Sequence, residues 1–450
     1  MSRFGQLLIG AVGASLLVQM AAIAAPRAAR ENWVGTWGYV VLTPPPGTPI
    51  PVAAAPSPPA GPTPLGAFTA PPSPSPPPRP AAAPAIDNPG NVPVDTNGAD
   101  LGNATVRQVV RVSQGGTRLR LRFSNENGTD ALALGAVHVG AAAADGAVIA
   151  GSDHAVTFDG QPSVVLPAGA PVLSDPVDLS TRALEKLYIS TYLPGPIPTR
   201  SPRTLFQYVA GKPGDFTAAA ALPGARLMRI PPYVTLVEVQ ATAPTSVVVA
   251  LGDSITQGSG STANAFRGWP DRLAERLAGQ HWAVVNAGIG GNRLLRYGQG
   301  PSALSRLDRD VLSVPGLKVI ILLEGINDIG VGLGTLNSAE PVSVDALESA
   351  DRQIVTRAHE HGVRVLGATL TPYQGARYSS SAGEMVREAL NHWIRSSGVF
   401  DAVIDFAPVL ADPNNPLTFD RRFNDNDHLR PNDAGYRALG DSIDLSLITK

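Results

Sequence analysis

From about Thr245 onward, short and nearly continuous apolar runs alternate with amphipathic stretches, and this alternation constrains the fold more than any other feature. The runs "SVVVAL", "WAVVNAG", "LKVIILL", "VRVLGATL" and "AVIDF" are too evenly apolar for strands with one wet face. Between them lie "WPDRLAERLAG", "PSALSRLDRDVL", "VDALESADRQIVTRAHEHG" and "AGEMVREALNHWIRSSG", with a last helical pattern near "PNDAGYRALGDSI". Strands buried on both faces and separated by helices predict an α/β domain on a parallel sheet. Five such strands predict the flavodoxin-like doubly wound order, whose site forms beyond the carboxyl ends of the strands. That rule selects the loops in which chemistry is sought.

The upstream half follows a different pattern. Between Asn103 and Val239 short alternating segments such as "AVTFDG", "LYISTYLPG" and "YVTLVEV" are punctuated by Gly, Pro and Asp, which predicts an antiparallel β-sandwich. "TVRQVVRVSQGGTRLRLRFSNENG" reads as two strands joined into a hairpin at Gly115 and Gly116. "ENWVGTWGYVVL" reads as a further strand, and after it residues from about 43 to 97 become Pro-, Ala- and Gly-rich with no apolar period. Such a segment cannot offset its ordering entropy by burial, so it is expected to be an extended insertion within the sandwich domain. The expected organisation is a sandwich over 26–245 and an α/β domain over 246–450, consistent with two or three units in 450 residues. Residues 1–25 carry Arg3, the stretch "LLIGAVGASLLVQMAAIAA" and a small-residue exit at Ala22, Ile23 and Ala24. These features predict a secretory signal peptide, export, and no stable membrane association after cleavage. An uncleaved membrane anchor is the competing reading, weakened by Gly10, Gly13 and Gln19.

Composition removes several functions. A net charge of −2 supplies no basic field for a nucleic-acid backbone, and the lack of cysteine removes disulfides, thiolate metal sites and a cysteine nucleophile. Four loops at the predicted active edge remain: Gly252-Asp253-Ser254, "NAGIGGNR" from Asn286, "EGIND" from Glu324 and "NDNDHLRPND" from Asn424. The first lacks a Gly-Lys-Ser/Thr ending and so is not a phosphate-binding loop. By itself Ser254 reads as a cap or turn residue, and nucleophilic use requires a base with an orienting partner. Of the seven histidines, His138 and His154 lie in the sandwich, His281 before a strand, His392 within a helix, and His359 and His361 near a helix end. His428 alone lies in a loop at the active edge, three residues after Asp425, with Asp427 and Asp433 as alternative orienting acids. Gly291 could present a backbone N–H, and Asn327 a non-titrating amide, to a developing oxyanion. A turn glycine and an Asx-turn asparagine are the ordinary readings of the same residues.

Together the four blocks resemble the SGNH or GDSL-type serine hydrolases, over about 200 residues from Val247. "GDSITQG" is similar to the family's first block and implies Ser254 as nucleophile and one oxyanion N–H. "NAGIGGN" implies Gly291 as a second donor, with Gly288 and Gly290 as alternatives; "GIND" implies Asn327 as the third; "DNDH" implies Asp425 and His428 as the rest of a triad. Ile255 replaces a leucine often found after the serine, a volume-conserving change. Asp253 and Asp328 are assigned mainly to loop hydrogen bonding. The segments "WVGTW" and "TVRQVVRVS" resemble the β-rich domain preceding the catalytic one in xylan-esterase-like members. With the predicted signal peptide, the resemblance thus implies an exported carboxylester hydrolase, with no metal or organic cofactor, acting on O-acetylated carbohydrate. A lipase or arylesterase for longer acyl chains, and a glycan-binding surface protein with secondary esterase activity, are the alternatives.

Overall fold

The computed structural model describes residues 31–40 and 101–450, apart from 127, 129, 145, 196–204 and 335–339. The predicted signal segment at 1–25 and the Pro-rich segment at about 43–97 lie outside the described residues. Among the described residues, twelve strands form the N-terminal half: β1 (Trp33–Gly38), β2 (Ala104–Arg111), β3 (Leu119–Ser124), β4 (Leu132–Leu134), β5 (Val137–Ala141), β6 (His154–Val156), β7 (Val164–Leu166), β8 (Pro171–Leu173), β9 (Lys186–Leu193), β10 (Leu205–Val209), β11 (Arg226–Ile230) and β12 (Val234–Gln240). They build a four-stranded sheet, β1-β12-β3-β8, a six-stranded sheet, β11-β10-β2-β9-β5-β6, and the pair β4-β7. The pairings are antiparallel, and Val106, Val110, Leu119, Leu121, Phe123, Val139, Ile189 and Val237 are buried in the hydrophobic core.

The expected hairpin at Gly115 and Gly116 does not form, because β2 and β3 belong to different sheets. A Cβ on Gly115 would lie 2.3 Å from the Thr181 carbonyl oxygen, and one on Gly116 2.5 Å from that of Gln240. These glycines let the crossing chain press against two other backbone segments; they do not close a turn.

The C-terminal half is the predicted parallel sheet: β13 (Ser246–Gly252), β14 (Trp282–Gly288), β15 (Leu317–Leu323), β16 (Arg364–Ala368) and β17 (Ala402–Ile404), in the order β14-β13-β15-β16-β17. Its helices include α1 (Ser254–Gln257), α2 (Trp269–Leu277), α3 (Ala303–Leu307), α4 (Ile326–Leu333), α5 (Val344–Glu360), α6 (Ser381–Ser396), α7 (Ala407–Leu410) and α8 (Asp433–Ser442). Val247 to Leu251 and Val319 to Leu323 are all buried, as strands covered on both faces require. The single helix expected over "PSALSRLDRDVL" is instead α3 followed by a π-helical turn, Asp308–Leu312. No helix among the described residues is long and apolar enough to cross a membrane.

β14 stands at the edge of the parallel sheet, and the N-terminal half covers it. Val284 N–H donates to Ser113 Oγ at 2.9 Å, and Gly35 N–H donates to Pro315 O at 3.0 Å. A Cβ on Gly35 would meet Val314 at 2.7 Å, and one on Gly38 would meet Val285 at 2.6 Å, so the two glycines of "WVGTWG" permit close approach. Arg111 adds an ionic tie, donating to Glu275 Oε1 at 2.9 Å and Asp271 Oδ1 at 3.3 Å on α2. Residues Asn32–Lys450 accordingly form one compact unit.

Candidate active site

The chain leaves β13 through Gly252, where a Cβ would lie 2.3 Å from Leu323 O, so only glycine passes between the strand ends. Asp253 caps α1, accepting from Ile255 N–H at 2.8 Å. Ser254 opens that helix and is 4% exposed. Its carbonyl receives the N–H groups of Gly258 and Ser259, whereas its own N–H is taken by no group among the described residues.

The loop after β14 sorts the three glycines that the sequence leaves open. Gly288 N–H donates to Asn286 Oδ1 at 2.8 Å and Gly290 N–H to Gln257 Oε1 at 3.0 Å. Gly291, at φ 77°, makes no N–H hydrogen bond among the described residues. Asn327, in the first turn of α4, is held on three sides. Its Nδ2 donates to Asn292 O at 2.8 Å and more distantly to Asp253 Oδ2 at 3.3 Å, while its Oδ1 accepts from Tyr378 Oη at 3.1 Å. Because Asn292 O can only accept, the amide orientation follows from chemistry.

Buried acids underlie these loops. Asp328 is fully buried and accepts from Leu294 N–H at 2.6 Å and Leu295 N–H at 3.1 Å, the loop-holding part expected of it. Burial nevertheless raises its carboxyl above the ordinary range. Burial, with the Asp328 charge adding to it, pushes the Asp253 carboxyl up to about 7. Glu324 is pushed well above the carboxylate range by burial and by Asp253 and Asp328. The countercharge is Arg306, wholly buried, which donates to Asn292 Oδ1 at 2.9 Å, Ala287 O at 2.7 Å and Gly252 O at 3.1 Å.

The fourth loop departs from expectation in one respect. His428 is exposed at φ 57°, and its Nδ1 faces Asn424 Nδ2 at 3.3 Å, while its own N–H donates to Asn424 Oδ1 at 3.1 Å. The expected orienting bond from Asp425 to His428 is therefore not made; among the described residues neither Asp425 nor Ser254 is hydrogen-bonded to the imidazole. The reason is local. Asn426 and His428 both adopt positive φ, Asp425 N–H is tied to Arg430 O, and the Asp425 carboxylate turns toward Gly260, where a Cβ would lie 2.9 Å from Oδ2. Burial and the Asp427 and Asp433 charges raise the Asp425 carboxyl above its ordinary range, with Arg430 opposing. Of the alternative acids, Asp427 caps the Leu429 and Arg430 amides and Asp433 binds Thr262, so both are engaged elsewhere.

Residues 250–438 match the model of the GDSL-like lipase/acylhydrolase family. The C-terminal half is a GDSL-type hydrolase domain. Among solved structures, a protein of the G-D-S-L family from Desulfitobacterium hafniense is 24% identical, covering 44% of this chain and 97% of its own, with a TM-score of 0.34. An acetyl xylan esterase is 22% identical over 44% of this chain and 96% of its own, with a TM-score of 0.35. An aryl esterase from M. smegmatis is 16% identical over the same shares, with a TM-score of 0.35. No match was found among curated proteins. The protein thus carries a hydrolase domain of the lipase/acylhydrolase type.

Within the GDSL domain, three residues that sequence reading passed over hold the loops: Arg306, Gln257 and Tyr378. Gln257 offered the nearest signal, as a polar residue three positions after Ser254. Arg306 and Tyr378 offered none, since a helix arginine and a loop tyrosine normally face water.

Proposed function

We propose that the protein is an exported carboxylester hydrolase that removes O-acetyl groups from carbohydrate of the xylan type. The observation that carries the reading is the pair of N–H groups, on Ser254 and Gly291 at neighbouring strand ends, that no group among the described residues engages. They and one Asn327 proton suit a tetrahedral oxyanion. Ser254 Oγ attacks the ester carbonyl while His428 Nε2 takes its proton, and the sugar oxygen leaves with that proton. Water then gives a proton to the same base and releases acetate. Base use requires the Nδ1–H of His428 to be taken by Asp425, so the imidazole must turn away from Asn424. A cavity of about 560 Å³ beside the nucleophile loop, not lined by Ser254, Gly291, Asn327 or His428 themselves, leaves room for the leaving-group side of a saccharide ester. It is lined by Gln257 to Thr262, Gly288 and Arg430 of the hydrolase domain and by Trp37, Tyr39 and Phe206 of the sandwich.

The test compares acetate release from acetylated xylan with hydrolysis of p-nitrophenyl acetate and octanoate. Preference for the octanoyl ester, with no acetate from xylan, would overturn the carbohydrate reading. Ser254→Ala should lower every rate by at least about a thousandfold while leaving the thermal midpoint in place. Retained activity would remove Ser254 as nucleophile.

A further inference from the structure

The Asn327 amide serves as an oxyanion donor only if its plane is fixed, because a rotated amide would present Oδ1 to a negative charge. Two of its sites are already committed: one proton to Asn292 O at 2.8 Å and the carbonyl oxygen to the Tyr378 hydroxyl at 3.1 Å. The remaining proton makes the long contact with Asp253 Oδ2, at 3.3 Å, and is the one a stronger acceptor would capture. Tyr378 itself is clamped. A Cβ on Gly330, one turn after Asn327 along α4, would lie 2.3 Å from the Tyr378 ring, and a Cβ on Gly334 would lie 2.1 Å from its carbonyl oxygen. Gly330 within α4 and Gly334 just past its end thus leave room for the tyrosine, whose hydroxyl reaches Asn327. Burial keeps that hydroxyl protonated far above neutral pH, so it remains a donor throughout the working range.

We propose that Tyr378 is a positioning residue for the hydrolysis, holding the Asn327 amide with its free proton turned toward the developing oxyanion. The proposal rests on the reading of Asn327 as an oxyanion donor. Its action is confined to the transition state, so kcat and not KM carries the effect.

The experiment measures kcat and KM on p-nitrophenyl acetate for the full-length protein and for Tyr378→Phe, Gly330→Ala, Asn327→Ala and the Tyr378→Phe/Asn327→Ala double variant, with thermal melts as the check on folding. Tyr378→Phe keeps the ring in its slot and should lower kcat about tenfold with KM within about twofold, whereas Asn327→Ala should lower kcat about a hundredfold or more. Gly330→Ala, which displaces the ring without removing the hydroxyl, should reproduce the kcat loss. In the double variant the tyrosine substitution should add nothing to the Asn327→Ala loss. Wild-type kcat in Tyr378→Phe beside a disabled Asn327→Ala overturns the positioning role alone, as does a full additional tenfold loss in the double variant. Wild-type kcat in Asn327→Ala overturns the donor reading and the Tyr378 role with it.

Discussion

Arg306 shows how one side chain can set the geometry of a site it does not enter. Its three donors end on Gly252 O, Ala287 O and Asn292 Oδ1, which lie at the mouths of β13 and β14 and in the loop carrying Gly291. Without them, Gly252 O would keep only the Ile289 N–H, Ala287 O and Asn292 Oδ1 would each lose a donor, and Glu324 and Asp310 would lose their countercharge. Arg306→Met should therefore destabilise the protein by about 3–5 kcal/mol, the cost of breaking a buried charge network, as read by urea unfolding. Arg306→Lys, with a single ammonium in place of the fork, should lose less but should still lower kcat. An unchanged unfolding midpoint in Arg306→Met would show that the network contributes nothing. None of this was legible in "PSALSRLDRD", because the arginine's hydrogen-bond acceptors, two main-chain carbonyls and the Asn292 side chain, lie more than a dozen residues away. Ser254, Gly291 and Asn327 stood out as candidates in the sequence only because their blocks occur together, in strand order, at one predicted sheet edge.

At the scale of elements, α5 carries an internal contradiction. Its buried face comprises Leu347, Ala350, Ile354, Val355 and Ala358, yet Asp351 lies among them, 3% exposed, with one carboxylate oxygen lacking a hydrogen-bond partner among the described residues. Burial, then the Asp328 and Glu348 charges, push its carboxyl well above the ordinary range. The native state therefore holds a proton that the unfolded chain releases near pH ~3.9, and stability falls as pH rises from there toward the native value. Asp253 acts in the same direction, with its contribution declining up to about pH 7. Asp351→Asn keeps the shape and cannot ionise, so its melting midpoint should fall less between pH 5 and 8 than that of the wild type. Equal slopes would mean that native Asp351 holds no extra proton in this window. The strand and helix succession of this half was legible because its period is local. The β2–β3 hairpin was misread because two glycines look alike whether they close a turn or admit another backbone.

Across the whole molecule, the sandwich does more than precede the GDSL domain. It seals the open edge at β14 through Ser113 and β1, and it reaches the site through Tyr39, whose hydroxyl accepts from Gln257 Nε2 at 3.0 Å while Gln257 Oε1 holds Gly290 N–H. Residues 246–450 expressed alone would expose an unpaired strand edge together with Val285 and Val314, so they should aggregate where the full chain stays dispersed, as light scattering would show. A monodisperse, folded fragment would mean that the edge needs no cover. Tyr39→Phe should lower kcat a few-fold at unchanged melting midpoint, since it removes one support of the Gly290-Gly291 turn. An unaltered kcat would confine the sandwich to a stabilising part.

What the sequence by itself determined was the parallel sheet, its strand order, and the four loops brought to one edge. Each follows from periodicity and from residue types whose chemistry is carried within a few neighbouring positions. Only the tertiary structure decided which glycine N–H stays without a partner among the described residues, that His428 rests against Asn424 and not Asp425, and that Tyr378, Arg306 and Tyr39 support the candidate site. Those outcomes depend on hydrogen bonds between distant segments, which compete for the same few donors and acceptors once the chain has folded.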